Sequence, residues 1–240
     1  MQGHHGNPRW PDLLLEPNTR PISQEQLTLE VKSIYAGLTK IEAKCIHVAQ
    51  AYGFPGPNSK LANDHWQALI ALHHTLLHEH YDFFLSSQYA SASPSLHRLA
   101  SKYSIPARMW KHGIHSFLNL LRRRLPESLD YMLAFIYLAY QIMALLYETV
   151  PTFEDTWTEY LGDLGRYRMA IEDKDRKRWA GVARSWYSKG VDKNPSVGYL
   201  YHHLAILARL NALQQLYYYA QSLTYVSIGS FVLAFHFGRH

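Results

Sequence analysis

Cysteine is almost absent: Cys45 is the only one in 240 residues. That excludes a disulfide framework and a cysteine zinc site, and it fits a reducing compartment. The glycine-rich cradles that hold nucleotide phosphates, G-x-x-x-x-G-K-S/T and G-x-G-x-x-G, do not occur. Neither does a G-x-S-x-G nucleophile turn. Carboxylates are scattered rather than gathered for a two-metal nuclease. No stretch alternates apolar and polar residues between hairpin turns, so strands are not expected. The N-terminal M-Q-G-H-H-G-N-P-R-W-P lacks the apolar core of a secretory signal. With no catalytic set to assemble, neither enzyme activity nor a cofactor nor a metal is expected.

What is present is apolar and aromatic. Hydrophobic residues make up 48% of the chain, enough for a sizeable core, and the 18 Tyr suit helix interfaces where ring and hydroxyl both find partners. The net charge of +5 permits an anionic partner without demanding one. Helical patterning predicts elements over 23–52, 61–88, 94–103, 106–125, 153–172, 177–191, 198–209 and 211–226, with Pro126 opening a further apolar helix. That helix, Leu129 to Tyr147, is long enough for a membrane span. Asp130, Gln141 and several Tyr interrupt it, which favours the middle of a helical array. Residues 1–22, rich in Gly, Pro, Asn and His, are expected to be disordered. One domain is expected over 23–226, followed by an atypical tail over 227–240.

The most specific stretch runs from Trp157 to Ala220. Ala183, Tyr187, Gly190 and Pro195 have the spacing of the second helix of a tetratricopeptide repeat. Tyr201, Leu204 and Ala205 restart the pattern just past the repeat length of about 34 residues. The fold expected is therefore all-α, an antiparallel helix-pair array of tetratricopeptide-like or 14-3-3-like type. Such a solenoid suits a scaffold better than a catalyst.

Candidate sites come from His and Arg. His73, His74, His78 and His80 crowd one helix, but H-x-x-x-H-E-H is not the H-E-x-x-H of zinc proteases, and no third ligand follows from sequence. His202 and His203 have no nucleophile partner and read as residues at a groove or core edge. Arg122, Arg123 and Arg124 fan around the last turn of a helix, where solvent and the helix dipole suit them. Arg166 and Arg168 sit in G-D-L-G-R-Y-R, where Gly162 and Gly165 let a neighbouring helix come close. A guanidinium held there either grips a phosphate through its planar fork or pairs with Asp163 or Glu172. Both readings stay open.

The blocks L-G-D-L-G-R-Y-R, W-Y-S-K-G-V-D-K-N-P, G-Y-L-Y-H-H-L-A-I-L-A and L-Y-Y-Y-A-Q-S-L resemble the Est/SMG family. That family comprises the telomerase-associated Est adaptors and the SMG adaptors of nonsense-mediated mRNA decay. L-L-H-E-H-Y-D-F-F-L-S-S-Q and P-T-F-E-D-T-W-T-E-Y-L-G-D look like its filamentous-fungal branch. The resemblance implies a non-catalytic adaptor of nucleus and cytoplasm, able to pair with another family member. Its groove would take a phosphorylated protein such as the up-frameshift RNA helicase. The family's phosphate-contacting arginine falls on Arg166, with Arg168 and Lys174 near it. The family's second contact, a lysine five residues after a tryptophan, falls on Ala71, with His73 and His74 close by. An alternative implied by the resemblance is direct binding of telomerase RNA or single-stranded telomeric DNA. Arg122, Arg123, Arg124, Lys174, Arg176, Lys177 and Arg178 would then contact phosphates. The family's further helical and nuclease-like domains have no counterpart here, and the tail after Val226 suggests a truncated product or faulty gene model.

Overall fold

The computed structural model describes residues 22–52 and 62–225. Among them it is all-α. The principal helices are α1 (Gln24–Tyr52), α2 (Asn63–Ser87), α7 (Leu129–Thr149), α8 (Glu154–Ile171), α9 (Arg176–Lys193), α10 (Gly198–Leu207) and α11 (Ala212–Thr224). Between α2 and α7 lie α3 (Pro94–His97), α4 (Leu99–Lys102), α5 (Ile105–Arg108), a π-helical stretch Met109–His115, and α6 (Ser116–Arg122). The expected disorder of 1–22 and the atypical tail 227–240 fall outside the described residues, except Ile22.

Local chemistry explains where the helices start. Ser23 and Gln26 form a reciprocal cap at α1: the Gln26 amide donates to Ser23 Oγ, and the Ser23 amide donates to Gln26 Oε1, both at 3.1 Å. Asn211 caps α11 through its Oδ1 to the Gln214 amide at 3.1 Å. Two expectations are corrected. The helix expected over 94–103 is broken into α3 and α4, and Ser104, with φ of 50°, turns the chain into α5. Pro126 does not open α7; it sits in turns, and Ser128 forms the bend by donating from its buried hydroxyl to the Leu121 carbonyl at 2.5 Å.

The main core gathers α1, α2, α6, α7 and α8 around fully buried Phe83, Phe84, Phe117, Phe135 and Trp157. Trp157 satisfies its indole N–H on the Val150 carbonyl at 3.0 Å. Helix α7 is long and apolar enough to cross a membrane. Here it buries a stripe of Met132, Phe135, Ile136, Ala139, Ile142, Met143 and Leu146 in that core and turns Tyr137 and Leu145 outward. Inside the same core, Glu42 of α1 accepts from Arg108 Nε at 3.1 Å and from its Nη2, tying α1 to α5. Cys45, also on α1, is fully buried.

The second half is built by close helix approach. Contacts run from Gly165 to Ala183, from Gly162 to Tyr187 and from Thr158 to Gly190, so α8 and α9 are antiparallel. A smaller core of Ala183, Tyr187, Leu200 and Leu204 then carries α10 and α11. A Cβ at Gly162 would lie 2.5 Å from Tyr187 Cε1, inside van der Waals contact. Gly162→Ala should therefore cost about 1–3 kcal/mol through overpacking. Gly181, on the same helix as Tyr187, meets nothing within 4 Å. Gly181→Ala should stabilise by about 0.5–1 kcal/mol, because alanine loses less entropy in a helix. Urea denaturation of the two variants checks the opposite signs.

Candidate functional site

Helical spacing assembles a polar cluster at the α8, α9 and α10 junction. Glu159, Asp163 and Arg166 recur at intervals of four and three along α8 and share one face. Tyr199 and His203 are one turn apart on α10 and oppose them, and Tyr187 enters from α9. The Tyr199 hydroxyl donates to Glu159 Oε2 at 2.8 Å, and the Tyr187 hydroxyl donates to Asp163 Oδ1 at 2.6 Å. Arg166 Nη2 lies 3.3 Å from the same Asp163 oxygen, and Arg166 Nη1 donates to His203 Nδ1 at 3.0 Å. His203 stacks on Tyr187 at 4.9 Å between centroids. Accepting at Nδ1 leaves the His203 proton on Nε2.

Burial sets the charges in this cluster. It raises Glu159 to about 7, helped by the nearby Asp163 carboxylate and opposed by the Tyr199 hydrogen bond and Arg166. Burial lowers His203 to about 4, with Asp163 pulling it up and Arg166 pressing it down. At Arg166 burial opposes the charge, but Tyr187, Asp163, Tyr167 and Glu159 outweigh it, so the pKa sits above its ordinary value. The result near neutrality is a firm cation at Arg166, a neutral imidazole at His203 and a Glu159 carboxyl near half protonation.

The other sequence-predicted residues are placed as follows. Arg168 is a brace: it pairs with Glu172, donates to the Leu133 carbonyl at 3.3 Å and lies 5.4 Å from the Trp179 ring centroid. Asp163 and Glu172 thus serve as counter-ions, one to each arginine. Lys174, Arg176, Lys177 and Arg178 are exposed at the turn into α9. Arg122 and Arg123 are exposed at the end of α6, whereas Arg124 reaches back to the Tyr52 carbonyl at 3.3 Å. His73 is corrected: it is 1% exposed, stacks on Phe117 and donates to the Leu69 carbonyl, so it faces the core and not a groove. His74 is half-buried and meets His78. Glu159 and Tyr199 were not singled out by sequence; the only signal was the four-residue step from Glu159 to Asp163.

The titrations have opposite consequences for stability. His73, His80 and His203 have folded values near 4, below the ordinary 6.5, so the unfolded chain takes up their protons first. Their contribution is present above pH 6.5 and is lost as pH falls toward 4. Glu159 runs the other way, because the folded state keeps its proton up to about 7. Its contribution is lost as pH rises from 4.5 to about 7, so Glu159→Gln should gain more stability between pH 5 and 6.5 than the unsubstituted chain, with little further difference by pH 8. Urea midpoints at pH 5, 6.5 and 8 check both limbs.

No protein-family model matches the chain. The chain is similar to EST/SMG-like protein 2 of Saccharomyces cerevisiae, with 25% identity over 108 residues. The match covers 43% of this chain and 9% of that protein, so the chain spans well under two thirds of its relative. The likeness supports an Est/SMG-like relationship at the level of family.

Proposed function

We propose that this chain is a non-catalytic adaptor that holds a phosphorylated protein partner against Arg166. The observation that carries the reading is the setting of that guanidinium. It is turned inward between α8 and α10, its side chain is 11% exposed, and Asp163 and His203 fix its orientation. A charge-assisted hydrogen bond is stronger where water is scarce, and a planar fork already held in place loses little freedom on binding phosphate.

The neighbours accommodate an incoming dianion. Asp163 is held more closely by Tyr187, at 2.6 Å, than by Arg166, at 3.3 Å. Tyr187 can therefore retain the carboxylate while phosphate takes its place on the guanidinium. Glu159 is half protonated near neutrality, which lowers the opposing negative charge. The Est/SMG-like relative supports an adaptor in telomere or decay pathways, and a phosphoprotein such as the up-frameshift RNA helicase is the partner that the resemblance brings. Ala71 supplies no second cation, so Arg166 is the principal anchor, with the exposed Lys174 a weaker one.

The exposed Arg122, Arg123, Lys174, Arg176, Lys177 and Arg178 support the rival reading, nucleic-acid binding by surface charge. Anisotropy titrations separate the two, using a phosphorylated Ser-Gln peptide, its unphosphorylated twin and single-stranded RNA. The expected result is preference for the phosphopeptide, lowered at least about tenfold in Arg166→Glu, since a lost charge-assisted bond is worth about 1.5–3 kcal/mol. Asp163→Asn, which keeps an acceptor for Tyr187, should strengthen phosphopeptide binding. Equal binding of all anions, abolished by about 200 mM salt, would overturn the proposal in favour of generic electrostatics.

A further inference from the structure

The outer flank of α2 carries two imidazoles that the Arg166 cluster does not use. His74 and His78 are four residues apart, so they stand one above the other on the helix. Their Nε2 atoms are 2.8 Å apart and their ring planes are at 79°. In the absence of metal they share one proton in a hydrogen bond. His78 is exposed and His74 half-buried, so solvent reaches the pair.

We infer that His74 and His78 form a bidentate site for a divalent transition-metal ion, with copper(II) and nickel(II) preferred over zinc(II). The preference follows from the bite. Metal–imidazole bonds are about 2.0–2.1 Å long. Two nitrogens 2.8 Å apart then subtend an angle of about 85–90° at the metal, using that bond length. That angle matches adjacent corners of a square-planar or octahedral ion. A tetrahedral zinc ion wants a spacing nearer 3.4 Å, as follows from the same bond length, about 2.1 Å, and its wider angle.

Binding needs little rearrangement. The shared proton moves through water from Nε2 to Nδ1 of its own ring, both Nε2 lone pairs then face the ion, and no net proton is released. The helix backbone keeps the two side chains one turn apart, so chelation costs mainly side-chain rotations. Among the described residues no group of three ligating side chains assembles, so water completes the coordination. The site differs from a zinc-protease helix, where the glutamate lies between the two ligands.

The experiment is calorimetric titration of the full chain with copper(II) chloride and nickel(II) chloride. The control is His65→Ala, an exposed histidine on the same helix. The expected result is one equivalent fewer in His74→Ala and in His78→Ala, the same single loss in the double variant, and no loss in His65→Ala. Copper EPR of the protein should lose its two-nitrogen component in either single variant. Circular dichroism checks that α2 remains folded, which alanine at these two positions favours. Unchanged stoichiometry in the two variants would overturn the inference. So would two independent losses that add in the double variant, because they would mean two separate monodentate histidines.

Discussion

The close approach of α8 and α9 is the constraint on which the second half of the molecule depends. A side chain is missing at Gly162, and the Tyr187 ring occupies the space. That placement does two further things. It aims the Tyr187 hydroxyl at Asp163 and presents the ring face to His203. Asp163 and His203 in turn fix Arg166. A packing requirement between two helices therefore determines where a buried cation points. The cluster is a network in which the same oxygen of Asp163 serves a phenol and a guanidinium, so its members are energetically coupled.

The first half solves a different problem, polar groups inside an apolar core. His73 and His80 each donate from Nδ1 to the carbonyl four residues back, at 2.9 and 2.8 Å. Each leaves its Nε2 buried without a partner, a cost of about 1–3 kcal/mol per group. Aromatic contacts offset part of it, as in the stacking of His73 on Phe117 at 4.1 Å. Glu42 is buried too, but Arg108 answers it from another helix. A pair of this kind adds little net stability, and it penalises any register of α1 against α5 that separates the charges.

Much of this was legible in the sequence where the signal was local. Helix existence followed from periodicity, and the α8 and α9 pairing followed from small and aromatic residues at repeat spacing. The polar cluster was legible in part. Arg166 and Asp163 are three residues apart, so one helix brings them together whatever surrounds it. Glu159 and Tyr199 are forty residues apart, and only the stacking of α10 makes them neighbours. His73 and His74 illustrate the limit. Adjacent residues on a helix differ by about 100° in direction. Which of the two enters the core was decided by where Phe117 and Phe135 arrive. Pro126 erred in the same way: its propensity suits a first turn, but the Ser128 hydroxyl holds the chain in a bend until Leu129.

Cys45 turns the interior of α1 into a clock. Its thiol is wholly enclosed, and burial together with the Glu42 carboxylate pushes its pKa up to about 12. A native molecule at neutral pH presents neither a reachable sulfur nor a thiolate to an alkylating reagent. Labelling must wait until this stretch of helix swings away from its neighbours. The chain thus carries a built-in reporter of its own breathing, one atom whose modification rate measures how often the first helix leaves its bed.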